Sequence, residues 1–237
     1  MDKENWSLAW EKHLENYLKA PARTGIFAKV YAKGITSSLE LGCGSGRDSI
    51  FLSQKGISAV ATDYEPTVIC KLQERFKDYS VKFCIADAFD LPFHGNTFDL
   101  VFHNGFFILF NSNYDVINLI HEQKRVSKKY ILILVHNKIN RRLVTEFEAL
   151  APSDPVYNIR FFTKEELDQI VKSAQIKFKS IRYFKFGGKY DAFYDKWIKK
   201  IIPNLLYSFR EYFIPRLYQL QRWEKTERIA CLIELES

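Results

Sequence analysis

The chain has 237 residues, enough for one large domain, and 47% of them are hydrophobic, so it can bury a core without disulfide or metal staples. That apolar share, the 10 glycines and the lack of a sustained heptad exclude a disordered chain, a collagen and a coiled coil. Thirty-five basic against 28 acidic residues leave a net charge of +7, and 37 aromatic residues make 16% of the chain, an unusually high share.

In chain order, residues 5–20 predict an amphipathic helix, because Trp6, Trp10, His13 or Leu14, and Tyr17 or Leu18 recur at helical spacing and Pro21 ends the run. A short second helix is expected over 22–33, stopping at Gly34. An alternation of strands and helices follows. Strands are expected at 37–41, 57–62, 81–86, 98–103 and 130–136, with helices at 47–54, 66–78 and 114–128 between them. The run YILILVH at 130–136 is the continuous apolar kind that a buried parallel strand requires. A helix near 139–150, a proline-containing loop and a capping box at Thr163-Lys164-Glu165-Glu166 lead to a helix ending near Ala174. Strands at 177–186 and 228–234 close the pattern. The fold class is therefore α/β: a Rossmann-like, doubly wound and mostly parallel sheet.

Domain boundaries follow from the same reading: an N-terminal helical segment at 1–34, an α/β core at 35–186, an insertion at 187–225 and a final core strand at 226–237. From Ile176 to Thr226 there are 12 Lys and Arg against 4 Asp and Glu, together with 14 of the 37 aromatics, and the rest of the chain is near neutral. In the insertion an aromatic stripe (Tyr190, Phe193, Trp197, Phe209, Phe213) is flanked by Lys196, Lys199, Lys200, Arg210, Arg216 and Arg222. Three readings stand: a helical subdomain packed on the sheet edge, a substrate-recognising lid, or a patch for a membrane surface or nucleic acid. Cys43, Cys70, Cys84 and Cys231 lie far apart with no CxxC pair, no metal spacing and no disulfide pattern, so reduced thiols and a cytoplasmic setting are expected. Residues 1–6 carry acids and no apolar stretch, so a signal peptide is not expected.

The chemistry concentrates at the carboxyl ends of the first strands. Glu40-Leu41-Gly42-Cys43-Gly44-Ser45-Gly46 leaves a strand and opens a helix, and its glycines let the backbone approach a ligand closely beside free N–H groups. The spacing is G-x-G-x-G, not the dinucleotide fingerprint, and Glu40 would repel a pyrophosphate but suits a cationic ligand. Asp63 ends the second strand, where a carboxylate accepts from ribose hydroxyls, and Asp87 with Ala88 ends the third, where they suit an adenine. His103 and His136 end the fourth and fifth strands, so both are expected to point to the ligand edge as candidate bases. His13 reaches that edge only if the first helix folds over it.

ELGCGSGRD, ATDYEP, IADAFDLPF and NTFDLVFHNG, in that order and spacing, resemble the motifs of class I S-adenosylmethionine-dependent methyltransferases, in the branch marked by Leu91-Pro92-Phe93 and Phe98-Asp99. The resemblance implies a seven-stranded sheet with an antiparallel last strand, and S-adenosylmethionine as cofactor with S-adenosylhomocysteine as product. It places Gly42, Gly44 and Gly46 at the methionine end, Asp63 at the ribose, Asp87 and Ala88 at the adenine, and Asn104 near the amino group and the methyl. The implied cofactor set is Glu40, Gly42, Cys43, Gly44, Gly46, Asp63, Tyr64, Asp87, Ala88 and Asn104. His103-Asn104-Gly105 stands where exocyclic-amine DNA methylases carry Asn/Asp-Pro-Pro-Tyr/Phe, and no Pro-Cys nucleophile is present. The expected function is methyl transfer to an O or N atom of a small molecule, anionic or aromatic, without a metal. The alternatives are an RNA methyltransferase using the basic insertion and a non-catalytic S-adenosylmethionine-binding module.

Overall fold

Alternating side chains on successive strands divide the interior in two. On β4 (Phe98–Asn104), Leu100 and Phe102 face one apolar cluster and Val101 the other. On β5 (Ser127–His136), Leu132 and Leu134 face the first cluster, while Ile131, Ile133 and Val135 face the second. The period of two thus buries both faces of one sheet. The computed structural model describes residues 3–194 and 213–236.

The sheet has seven strands in the order β3-β2-β1-β4-β5-β7-β6. The remaining strands are β1 (Ser37–Leu41), β2 (Ser58–Asp63), β3 (Lys82–Ile85), β6 (Phe178–Phe186) and β7 (Arg228–Leu235). The first five pair in parallel, and β7 runs antiparallel between β5 and β6. The expected fold class is observed, including the antiparallel last strand.

On one face lie α2 (Arg23–Tyr31), α3 (Arg47–Gln54) and α4 (Pro66–Arg75), contributing Phe27, Leu52 and Ile69 to the first cluster. On the other lie α5 (Asn113–Val126) and α7 (Lys164–Ser173), contributing Leu119 and Val171 to the second. α1 (Lys3–Lys19) and α6 (Arg141–Leu150) flank the carboxyl edge. Thr163 Oγ1 accepts from Glu166 N at 3.0 Å, and the Glu166 carboxylate pairs with Arg160 at 2.5 Å.

The LPF…FD segment has a structural task here. Phe93 packs edge-on to Phe98 at 5.1 Å, and Asp99 accepts from Thr36 N and Thr36 Oγ1, each at 2.8 Å, fixing the entry to β1. Those bonds, with Lys129 at 3.1 Å, hold the Asp99 carboxyl below its ordinary range despite its burial.

Both ends of the insertion are part of the core. Beyond β6, α8 (Lys189–Phe193) and α9 (Ile214–Tyr218) bring Tyr194, Ile214 and Tyr218 into the first cluster with Phe186. Lys196, Trp197, Lys199, Lys200, Phe209 and Arg210 lie outside the described residues. No helix among the described residues is long and apolar enough to cross a membrane.

Candidate active site

The carboxyl ends of β1, β2, β3, β4 and β5 open into one cavity of about 530 Å³. Its lining includes Glu40, Gly42, Cys43, Asp63, Tyr64, Asp87, Ala88, Asn104 and His136, which the sequence singles out. Gly44 and Gly46 shape the loop without lining the cavity, and His103 does not reach it.

β1 and α3 meet at the glycine loop. Gly42, Gly44 and Gly46 all have positive φ, between 50° and 62°, a region that side chains disfavour. A Cβ on Gly42 would stand 2.6 Å from Phe106, and one on Gly44 2.1 Å from the Trp10 ring. The loop is held from β2, where Asp63 Oδ2 accepts from Gly44 N at 2.8 Å and Oδ1 from Glu65 N at 3.1 Å. Burial pushes the Asp63 carboxyl up, against these bonds. Asp87 Oδ1 accepts from Phe89 N at 2.9 Å. Tyr64 and Phe89 flank these carboxylates, 51% and 40% exposed, as apolar surface open to a planar ligand.

Glu40 lies beneath the loop, 3% exposed, and its Oε2 accepts from Ser49 N at 3.1 Å and Ser49 Oγ at 2.6 Å. Burial, then the nearby Asp48 carboxylate, push its carboxyl up to about 8. The Cys43 thiol is buried and pushed well above its ordinary value, first by burial and then by Asp63, so it is no nucleophile.

A polar chain crosses the mouth of β4. Gly25 N donates to Asp48 Oδ1 at 2.8 Å, and the Asn104 amide donates to Asp48 Oδ2 at a long 3.5 Å. Arg228 Nη1 donates to Asn104 Oδ1 at 2.7 Å. Arg47, just after the glycine loop, lines the same space and donates from Nη1 to Tyr17 O at 3.3 Å.

The two histidines part ways. His103 has no exposed surface, and its ring stacks at 4.1 Å on Phe107 on the α5 side of the sheet. Its Nδ1 accepts from Phe106 N at 3.2 Å, Nε2 has no partner, and burial pushes the imidazole down to about 3. The expectation that a strand-terminal residue faces the ligand edge is corrected for His103, because side chains leave a strand toward its faces. His136 does line the cavity, 7% exposed, with its ring 5.2 Å from Phe147. Burial, then the Arg228 charge, hold it well below its ordinary range and so neutral.

α1 forms part of the wall through Trp10, His13 and Tyr17, and Trp10 meets Tyr17 edge-on at 5.4 Å; the Trp6 side chain is outside the described part. The helix is fastened across the opening, where Asp154 receives Lys12 Nζ at 2.7 Å and His13 Nε2 at 2.9 Å. Beyond Asn104, Phe106, Phe110, Phe147 and Tyr157 make an aromatic chamber.

Arg228 is the residue that reading the sequence missed. It opens RIACLIE, and only the antiparallel course of β7 brings its first residue to the carboxyl edge. Among the described residues no group of three or more His, Cys, Asp or Glu could hold a metal ion.

A glycine cradle that admits no side chain, a buried acid beneath it and carboxylates at successive strand ends fit the parts of S-adenosylmethionine in order. This sheet order is the fold of solved S-adenosylmethionine-dependent methyltransferases. Residues 39–129 match a family model described as a methyltransferase domain. No curated protein sequence matches the chain.

Solved structures share the fold at low identity. An S-adenosylmethionine-dependent methyltransferase from Thermotoga maritima is 14% identical, with 98% of this chain and 97% of that one covered and a TM-score of 0.62. One from Archaeoglobus fulgidus is 17% identical, covering 90% and 94%, with a TM-score of 0.59. Magnesium protoporphyrin IX methyltransferase from Synechocystis PCC 6803, solved with bound S-adenosylhomocysteine, is 10% identical, covering 98% and 86%, with a TM-score of 0.56.

Proposed function

We propose that this enzyme transfers the methyl group of S-adenosylmethionine to an oxygen or nitrogen atom of a small molecule. The observation that carries the reading is the roofed cavity, which continues past Asn104 into an aromatic chamber while Trp10 and Tyr17 of α1 close it from above. A partly covered cavity of about 530 Å³ suits a small acceptor better than a nucleic-acid duplex or a folded polypeptide.

The cofactor, when bound, supplies a methyl group on an excellent leaving group. Alignment and exclusion of water then do most of the catalysis, with effective molarities on the order of 10⁵–10⁸ M for well-held reactants. Trp10, Tyr17 and Phe106 exclude water, Asp63 and Asp87 hold the nucleoside, and Asn104 orients the reacting end. His136, neutral and in the wall, is placed to accept a hydrogen bond from an acceptor hydroxyl or amine. The four free cysteines suit a reducing, cytoplasmic compartment.

The deciding experiment incubates the full chain with methyl-labelled cofactor and fractionated cell extract. Label in the small-molecule pool supports the proposal. Label in RNA would favour the basic insertion as a nucleic-acid surface. Cofactor binding with no label in any pool would make the chain a non-catalytic binding module.

A further inference from the structure

His136 and Arg228 are register partners on the β5–β7 ladder, and both line the cavity. Each carries a buried polar atom with no partner, Nδ1 of His136 and Nε of Arg228. Two such atoms on one rung, beside an open space, call for a ligand, because a buried polar group left unpaired is costly.

The hydrogen bonding of Arg228 narrows the ligand. Nη1 is engaged by Asn104, which leaves the edge formed by Nε and Nη2, the side-on edge that accepts a carboxylate through two parallel bonds. Among the described residues no carboxylate lies within ion-pair distance of this guanidinium. Glu227, its chain neighbour, points instead toward Gly187, where its Oε2 would lie 2.9 Å from a Cβ. Glu227 and Asp48 act on the Arg228 charge from a distance, Asp48 through Asn104, and neither bonds its Nε.

Two cations border the cavity, near enough for the Arg47 charge to act on Arg228. Arg47 follows the glycine loop at the start of α3, beside the methionine end of the cofactor. Arg228 reaches in from β7 to Asn104 and beside His136, whose ring lies 5.2 Å from Phe147. Phe147 and Tyr157, edge-on at 5.2 Å, give this end its apolar faces, while Phe106 packs over Gly42 and Phe110 meets Phe89 at 5.5 Å.

We propose that Arg228 and His136 form the anion-binding end of the acceptor pocket, and that the acceptor is a small carboxylate with an aromatic body. The proposal rests on the methyl-transfer reading above. The carboxylate takes the Nε and Nη2 hydrogens of Arg228, the rings enclose the body, and the neutral His136 imidazole meets a second polar group of the acceptor.

The test is calorimetric titration of the full chain loaded with S-adenosylhomocysteine. The probes are 2-hydroxybenzoate, 4-hydroxycinnamate and indole-3-acetate, each with its matched primary amide. At least one carboxylate is expected to bind about tenfold or more tightly than its amide, in line with charge-assisted hydrogen bonds. Arg228→Lys keeps the charge and the stem but not the fork, and Arg228→Met removes both. Each is expected to lose that preference by a larger factor than it loses S-adenosylhomocysteine affinity, part of which depends on the Arg228–Asn104 bond. Equal binding of acids and amides by the parent protein overturns the proposal, whatever the variants do. A loss of S-adenosylhomocysteine affinity in Arg228→Lys as large as the loss of acid preference also overturns it, by assigning the guanidinium to the cofactor's own carboxylate. Failure of the parent protein to bind S-adenosylhomocysteine would instead count against the methyl-transfer reading.

Discussion

The indole of Trp10 occupies the space that a side chain on Gly44 would need, with a Cβ there only 2.1 Å from the ring. An N-terminal helix and the loop after the first strand are thereby fitted to each other. The roof of the cavity depends on a glycine, and the glycine is required twice, by its neighbour and by its own φ of +50°.

Gly44→Ala should therefore be harmful in two ways. Holding alanine in the left-handed region costs about 1–3 kcal/mol, which for a chain of this size lowers Tm by about 2 °C or more. The displaced indole should also weaken S-adenosylhomocysteine binding. Adding Trp10→Ala relieves the collision but not the backbone, so calorimetry should show only partial recovery. A Gly44→Ala protein with parental Tm and affinity would show that the ring is not seated there.

Asp63 braces Gly44 N and Glu65 N and faces the cavity, so Asp63→Ala should weaken S-adenosylhomocysteine by about tenfold or more, the worth of hydrogen bonds to a charged group. Asp63→Asn should fall between. Unchanged titrations would remove Asp63 from the ribose, and tight NAD binding would contradict the cofactor assignment.

Glu40 links cofactor binding to pH. Its carboxyl is raised to about 8 when folded, from an ordinary value of 4.5, so its contribution to stability is fully present below about 4.5 and is lost as pH rises through 8. A cationic ligand favours the ionised form. Binding of S-adenosylmethionine at pH 7 should release protons, and affinity should rise with pH toward 8. Titration in two buffers of different ionisation enthalpy measures the release, and Glu40→Gln should abolish it. A parent protein that exchanges no proton would separate Glu40 from the positive charge of the cofactor.

Asp154 fastens α1. Its bond with Lys12, then that with His13, lower its carboxyl to about 2. The sign is opposite to that of Glu40: the stabilisation is present above the ordinary value of 3.8 and is lost as pH falls through about 2. Asp154→Asn should flatten stability between those limits and speed hydrogen exchange in α1 at neutral pH, with little change in Tm because Lys12 is largely exposed. Unaltered exchange in α1 would mean that the helix is held by Trp10 and its apolar contacts alone.

Tyr218 tests whether the end of the insertion belongs to the core. It has no exposed surface, packs 5.3 Å from Phe186 and donates its hydroxyl to Asp191 at 2.6 Å. Tyr218→Ala should cost about 3–5 kcal/mol and lower Tm on the order of 10 °C. Tyr218→Phe should cost only about 1 kcal/mol and keep cofactor binding. A small effect of Tyr218→Ala would mean that the segment is detachable.

The strands and most helices were legible from periodicity, since which face a residue takes is a local property. β1 matches its expected bounds, and α4 and α5 end a few residues early because propensity weakly fixes a helix end. That Gly42, Asp63, Asp87 and Asn104 would border one edge was legible too, because each ends or follows its own strand and parallel strands present their carboxyl ends along one edge. His103 was misread for a local reason: β4 turns its ring toward Phe107, under the sheet. Arg228, the Trp10 roof and the Asp154 fastening were decided only by the tertiary structure. Arg228 reaches Asn104 from 124 residues away because β7 inserts antiparallel between β5 and β6, and α1 finds Asp154 across 141 residues because both border the same opening. Such meetings depend on strand order and on which surfaces remain to be covered once the sheet is built, and no local period carries that information.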